Sequence, residues 1–189
     1  MKGHGTAAEA ELDRRDMAGL AAGEADALER LYDRYAERLT GFFWRLGNRG
    51  GEVDDLVHET FVRLWRHGRG WRGEGRLSTY LFGIAKSAWI DARSGKARAA
   101  VPDDLPRAAA PRPEEELERR ELARQIESAV AGLAEPLRLV FSMASGGGLK
   151  YREIPELLDI PVGTVKSRMA AAEEKLRAAL SGYLGRERG

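Results

Sequence analysis

The chain has 189 residues, with 31 Lys plus Arg against 30 Asp plus Glu and a formal net charge of +1. A 43% hydrophobic, 32% charged composition can bury a core, either in one domain or in two small ones of roughly 70–90 residues each. The absence of Cys excludes disulfides, thiolate metal sites and thiol catalysis, and His4, His58 and His67 lack the helical spacing of a His-based zinc centre. No apolar run approaches the ~18 residues of a membrane span. The start, MKGHGTAAEAELDRRD, lacks the apolar stretch of a secretory signal, so the expected location is the cytoplasm.

Along the chain, Leu28, Leu31, Tyr32, Tyr35, Leu39, Phe42, Phe43 and Leu46 recur at three- and four-residue steps, which predicts one apolar helix face. Gly47 and Gly50-Gly51 are expected to end that helix. A second helix carries Asp54 and Asp55 in its first turn and Val53, Leu56, Val57, Phe61, Leu64 and Trp65 on its apolar face. The glycine-rich stretch 68–75 reads as a loop, and a third helix opens near Ser78 with Leu77, Leu81, Ile84, Ala85, Ala88 and Ile90 inward. Residues 100–121 hold four of the seven prolines and an acidic cluster, a composition expected of an extended linker. Beyond it, Leu122, Ile126, Val130 and Leu133 form one helical face, and Leu137, Val140, Phe141 and Ala144 another. The expected fold is all-α: two small helical domains, 24–99 and 122–184, joined by the Pro-rich linker.

Residues 149–176 have the arrangement of a helix-turn-helix. Ile154, Leu157 and Leu158 give a short apolar helix, Asp159 to Gly163 a tight turn with Pro161 suited to a helical first turn, and Val165, Met169, Ala172, Leu176 and Leu180 one side of a longer helix. Thr164, Lys166, Ser167 and Arg168 fall away from that side, where a recognition helix presents polar groups to a major groove. An ordinary helical hairpin with a solvated face has the same pattern.

Charge is unevenly spread. Residues 61–98 carry nine basic groups (Arg63, Arg66, Arg69, Arg72, Arg76, Lys86, Arg93, Lys96, Arg98) against two acidic ones, a local field that the whole-chain sum hides. Trp65, Trp71, Tyr80, Phe82 and Trp89 interleave with them. Cations that track phosphates and aromatic faces that stack bases suit a single strand, each stacked base contributing roughly 1–3 kcal/mol. Trp65 reads as core; Trp71, Tyr80 and Trp89 fit either core or strand. On the second helix Asp54, Asp55, His58 and Glu59 lie near one edge, either a solvated face or a docking surface for a helical protein.

Together these segments resemble a sigma factor of bacterial RNA polymerase, of the extracytoplasmic-function (ECF) class: DDLVHETFVRLW (54–65), WRGEGRLSTYLFGIAKSAWIDARSGKAR (71–98), LAEPLRLVF (133–141) and YREIPELLDIPVGTVKSRM (151–169). The resemblance implies sigma region 2 at 24–99 and region 4 at 122–184, with no catalytic chemistry and no cofactor. It also implies that Asp54, Asp55, His58 and Glu59 contact core RNA polymerase. Arg72, Tyr80, Lys86, Trp89 and Arg93 line the path of the melted −10 strand, and Thr164, Lys166, Ser167 and Arg168 face −35 promoter DNA. Such proteins often have an anti-sigma partner. Four features depart from the family pattern: Ser87 where Asn is common, Pro155 inside the first helix of the helix-turn-helix, the run Gly146-Gly147-Gly148, which loosens the approach to that helix, and Ala171, Glu173 and Glu174 in a stretch that is often basic. The rival readings are a stand-alone helix-turn-helix regulator, which leaves Trp71, Tyr80 and Trp89 without a role, and a sigma mimic that binds an anti-sigma factor.

Overall fold

The computed structural model of the protein describes residues 7–95 and 125–184. The expected linker over 100–121, together with Lys96, Arg98 and Leu122, lies outside the described residues. Every regular element among them is helical, as the periodicities require. The apolar stripe from Leu28 becomes α2, Ala25–Arg45, after a helix α1 at Ala7–Ala22. α3 follows at Gly51–His67 and α4 at Leu77–Arg93. In the C-terminal half, α5 is described over 125–131, α6 spans Glu135–Phe141 and runs into a π-helical turn at Ser142–Gly146, and α7 (Ile154–Leu158) and α8 (Val162–Leu184) form the helix-turn-helix.

The first unit is built on α2. Its predicted face is buried as a set, with Leu31, Leu39, Phe42 and Phe43 all at 0% exposure, and removing each such side chain from water contributes about 1.5–3 kcal/mol. Phe42 meets Phe82 of α4 edge-on, with ring centroids 5.3 Å apart at 79°, the geometry the ring quadrupoles favour. Positive φ at Gly73 (+75°) and Gly75 (+79°) turns the chain between α3 and α4.

α1 belongs to this unit, although the sequence reading begins the domain at residue 24. Met17 and Leu20 enter the core, and a Cβ on Gly68 would stand 2.8 Å from Leu20 Cδ2. Two buried carboxylates tie α1 to α2. Asp16 Oδ1 accepts from Arg30 Nε at 2.8 Å and its Oδ2 from Arg34 Nη2 at 2.6 Å, while Asp13 accepts from Arg34 Nη1 at 2.8 Å and from the Tyr35 hydroxyl at 2.7 Å.

Pro155 sits in the first turn of α7, where no backbone donor is needed, so the short helix starts late and loses no hydrogen bond. Asp159 closes α7 in the left-handed conformation (φ 51°, ψ 52°), with Ile160 N–H donating to the Pro155 carbonyl at 3.2 Å. Pro161 precedes α8 rather than lying inside it: its carbonyl accepts from Thr164 and Val165 N–H. Val165 and Met169 are buried under the helix-turn-helix, and Ala172 and Leu176 form a smaller cluster with Val130 and Leu133. The larger apolar cluster runs without a break from α1–α4 into Val140, Met143, Leu149, Ile154 and Leu157 of the C-terminal half.

Candidate nucleic-acid interface

α4 and the loop before it carry the aromatic and cationic groups expected to handle a single strand. Arg72 is exposed in the loop. Tyr80 is half-buried against the core, its hydroxyl donating to the His67 carbonyl at 3.3 Å. Lys86 Nζ donates to the Leu157 carbonyl of α7. Arg93 Nη1 pairs with Glu135 Oε2 of α6 at 2.6 Å, and its guanidinium carbon sits 4.6 Å from the Trp89 ring centroid. Trp89 itself is 2% exposed. Its ring is part of the core in this conformation and not an open stacking face, because its helix position shares the inward stripe with Leu81, Phe82, Ala85 and Ala88. Ile90, expected inward, is instead 47% exposed.

A cleft of about 760 Å³ opens between α4 and α7, lined among others by Trp71, Tyr80, Lys86, Ser87, Arg152 and Leu157. It brings Trp71 and Arg76 together with Tyr80 and Lys86, and Arg72 is not among its lining residues. Ser87 is exposed at its edge, its hydroxyl turned back to the Gly83 carbonyl at 3.1 Å.

The acidic edge of α3 divides in two. Asp54 and Asp55 are exposed and His58 is half-buried. Glu59, expected on the same edge, is 3% exposed. It accepts from Arg63 Nε at 2.7 Å, and Arg63 Nη1 reaches Asp91 Oδ2 of α4 at 2.8 Å. That three-residue chain clamps α3 to α4. A charge fully removed from water requires such a partner, and only the fold brings Asp91 within reach.

On α8, Lys166 and Ser167 are exposed and Thr164 and Arg168 half-buried. All four lie within the first two turns, opposite the buried Val165 and Met169. The Ser167 hydroxyl bonds the Thr164 carbonyl at 3.1 Å, which leaves the cations of Lys166 and Arg168 as the principal charges on that end.

Several contacts at the junction of the two halves have no counterpart in the sequence reading. Arg38 donates through Nε and Nη2 to the Gly147 carbonyl at 2.9 and 2.7 Å. Arg76 Nε lies 2.9 Å from Glu153 Oε1, and Arg49 3.6 Å from Glu127. Each joins positions far apart in the chain, so no local pattern announces it.

Comparison with known proteins agrees with this layout. Residues 31–99 match the family model for sigma-70 region 2 and residues 123–176 that for sigma-70 region 4, together more than half of the chain. The ECF RNA polymerase sigma-E factor of Haemophilus influenzae is 28% identical over 166 residues, covering 82% of this chain and 87% of that protein. The RNA polymerase sigma-H factor of Pseudomonas aeruginosa is 25% identical over 186 residues, covering 92% and 96%. Among solved structures, CnrH in complex with the cytosolic domain of CnrY superposes with a TM-score of 0.71 at 25% identity, covering 90% of this chain and 98% of that one. Two sigma-70 regions in this order, with ECF relatives across most of the length, make the chain a member of the sigma-70 family of RNA polymerase sigma factors, in the extracytoplasmic-function class.

Proposed function

We propose that this sigma factor docks on core RNA polymerase through the exposed acidic end of α3, opens the −10 element along α4, and reads the −35 element with the start of α8. The observation that carries this reading is the pairing of two unlike surfaces in one chain. One is the surface of α4 and the loop before it, where Trp71, Tyr80 and Lys86 lie together, and the other a helix-turn-helix whose second helix presents Lys166 and Ser167 outward. An unpaired strand is held by stacking plus cations, a duplex by groove-edge donors and phosphate contacts.

In this reading Asp54, Asp55 and His58 meet the polymerase, while Glu59 supports them by fixing Arg63. Arg72, Tyr80, Lys86 and Arg93 face the melted strand. Trp89 underlies Arg93 and holds it in place. Thr164, Lys166, Ser167 and Arg168 face the −35 duplex. The chain works in the cytoplasm, supplies no catalytic group, and lends recognition and strand opening to the polymerase. A partner of the anti-sigma type completes the picture; the relative CnrH was itself solved with a bound protein domain.

Run-off transcription from a promoter library with core polymerase tests the reading. Discrete start sites that depend on this chain are expected. Failure to form a holoenzyme would refute it.

A further inference from the structure

We propose that α1 sets the position of the loop before α4, with Leu20 and Met17 acting as positioning residues for the groups that open the promoter. This rests on the reading of that loop given above and adds to it a helix that the reading leaves out. Gly68 begins the turn that leads from α3 into the loop, and it is buried. Its backbone (φ −61°, ψ −23°) is one that any residue adopts, so glycine is needed there for space and not for conformation. A Cβ on Gly68 would stand 2.8 Å from Leu20 Cδ2, 3.3 Å from Met17 Cε and 3.6 Å from Leu64 Cδ1. Leu20 and Met17 are themselves buried. α1 presses its apolar side directly on the backbone of the turn, and a close-packed interior passes a displacement on instead of absorbing it.

From Gly68 short steps lead to the groups that handle DNA. The Gly68 carbonyl accepts from the Trp71 N–H at 3.0 Å, which fixes the start of the loop. Trp71 packs against the core and Arg72 follows it, exposed. One residue before Gly68, the His67 carbonyl accepts from the Tyr80 hydroxyl at 3.3 Å. Further along α1, Ala10, Asp13 and Arg14 border the same narrow space as Trp71, Gly75 and Arg76. The helix is fastened to α2 by the bonds of Asp13 and Asp16 to Arg30, Arg34 and Tyr35. Anchored on α2 and seated against the turn, α1 is a strut whose fit at Gly68 decides where Trp71, Arg72 and Tyr80 stand.

A size-swap cycle tests the strut. Leu20→Ala empties the seat, Gly68→Val overfills it, and Leu20→Ala/Gly68→Val nearly conserves its volume. The readouts, on holoenzyme with a promoter recovered by run-off transcription, are the rate of permanganate reactivity at −10 thymines, affinity for core polymerase and −35 protection. Each single variant is expected to slow opening by about tenfold while core affinity and −35 protection persist, and the double variant to recover most of that loss. Core binding that falls in step with opening would make the seat merely structural and overturn the proposal. So would unchanged opening in both single variants, or losses that add in the double. If Leu20→Ala fails to fold by circular dichroism, Leu20→Val with Gly68→Ala runs the same cycle on a single carbon. Tyr80→Ala/Lys86→Ala on the same promoter separates the two claims: full opening with it removes the loop reading and the strut together. Opening lost with it but kept in both single variants removes the strut alone.

Discussion

The backbones of Gly41 in α2 and Gly146 in the turn after α6 touch, so closely that no side chain fits at position 146. The junction joins segments more than a hundred residues apart and brings a sigma region 4 unit against the face of region 2 that carries its cations. Around it, Arg38, Arg76, Lys86 and Arg93 all find oxygen partners in the C-terminal half. Two of the residues expected to hold DNA, Lys86 and Arg93, are thus engaged within the chain.

Trp89→Ala is expected to act through stability. The ring is 2% exposed, and emptying such a site costs about 3–5 kcal/mol. Urea denaturation followed by circular dichroism should show the midpoint fall, whereas a purely strand-stacking role would leave it unchanged.

The Asp16 carboxylate predicts an acid-sensitive contribution to the fold. Burial pushes the Asp16 carboxyl up, but hydrogen bonds from Arg34, Arg30 and Arg15 outweigh it and hold the pKa down at about 2. Its folded value lies below the ordinary carboxylate value of about 3.9. The stabilisation it gives is therefore complete above about pH 4 and is lost as pH falls towards about 2. Asp13 is shifted the other way, raised by burial against its bonds from Tyr35 and Arg34. Asp16→Asn should lower stability at pH 7 by about 1–2 kcal/mol. The difference from wild type should shrink on acidification, read from urea midpoints at several pH values.

Glu59 and the Asp54–Asp55 pair should separate cleanly. Glu59→Ala strands Arg63 and loosens the α3–α4 clamp, so the thermal midpoint should drop. Asp54→Ala/Asp55→Ala removes two exposed charges and should weaken core polymerase binding with a smaller change of midpoint than Glu59→Ala. Competition binding to core, with thermal melts of the same preparations, distinguishes the two.

Lys166→Ala and Arg168→Ala should each weaken holoenzyme binding to promoter duplex. Each should also reduce the salt slope by about one for every phosphate that the missing cation no longer neutralises. Titration at several salt concentrations reads both effects. An unchanged slope would place these cations away from phosphate.

What was legible in the sequence follows from distance along the chain. The stripe Leu28–Leu46 and the inward set Leu77–Ala88 pointed to α2 and α4, since a helix face is a local periodicity. Helix α1 escaped because the residues it buries include Asp13 and Asp16, whose partners lie in the next helix, so its buried face is not an apolar stripe. Glu59 reads as solvent-facing for the same reason: its charge suggests water, and only the fold brings in Arg63, tied in turn to Asp91. Trp89 could be read either way, because an aromatic residue on an inward stripe and one facing a strand look alike in one dimension. The three glycines suggested looseness and instead allow a close approach, with a partner that no local window contains.

The central claim is that α4 and the loop before it open promoter DNA, and permanganate reactivity of unpaired thymines in promoter bound by holoenzyme tests it most directly. The wild-type holoenzyme is predicted to expose thymines around the −10 element, and Tyr80→Ala/Lys86→Ala to abolish most of that reactivity while core binding and −35 protection persist. A full bubble with the double variant would contradict the account.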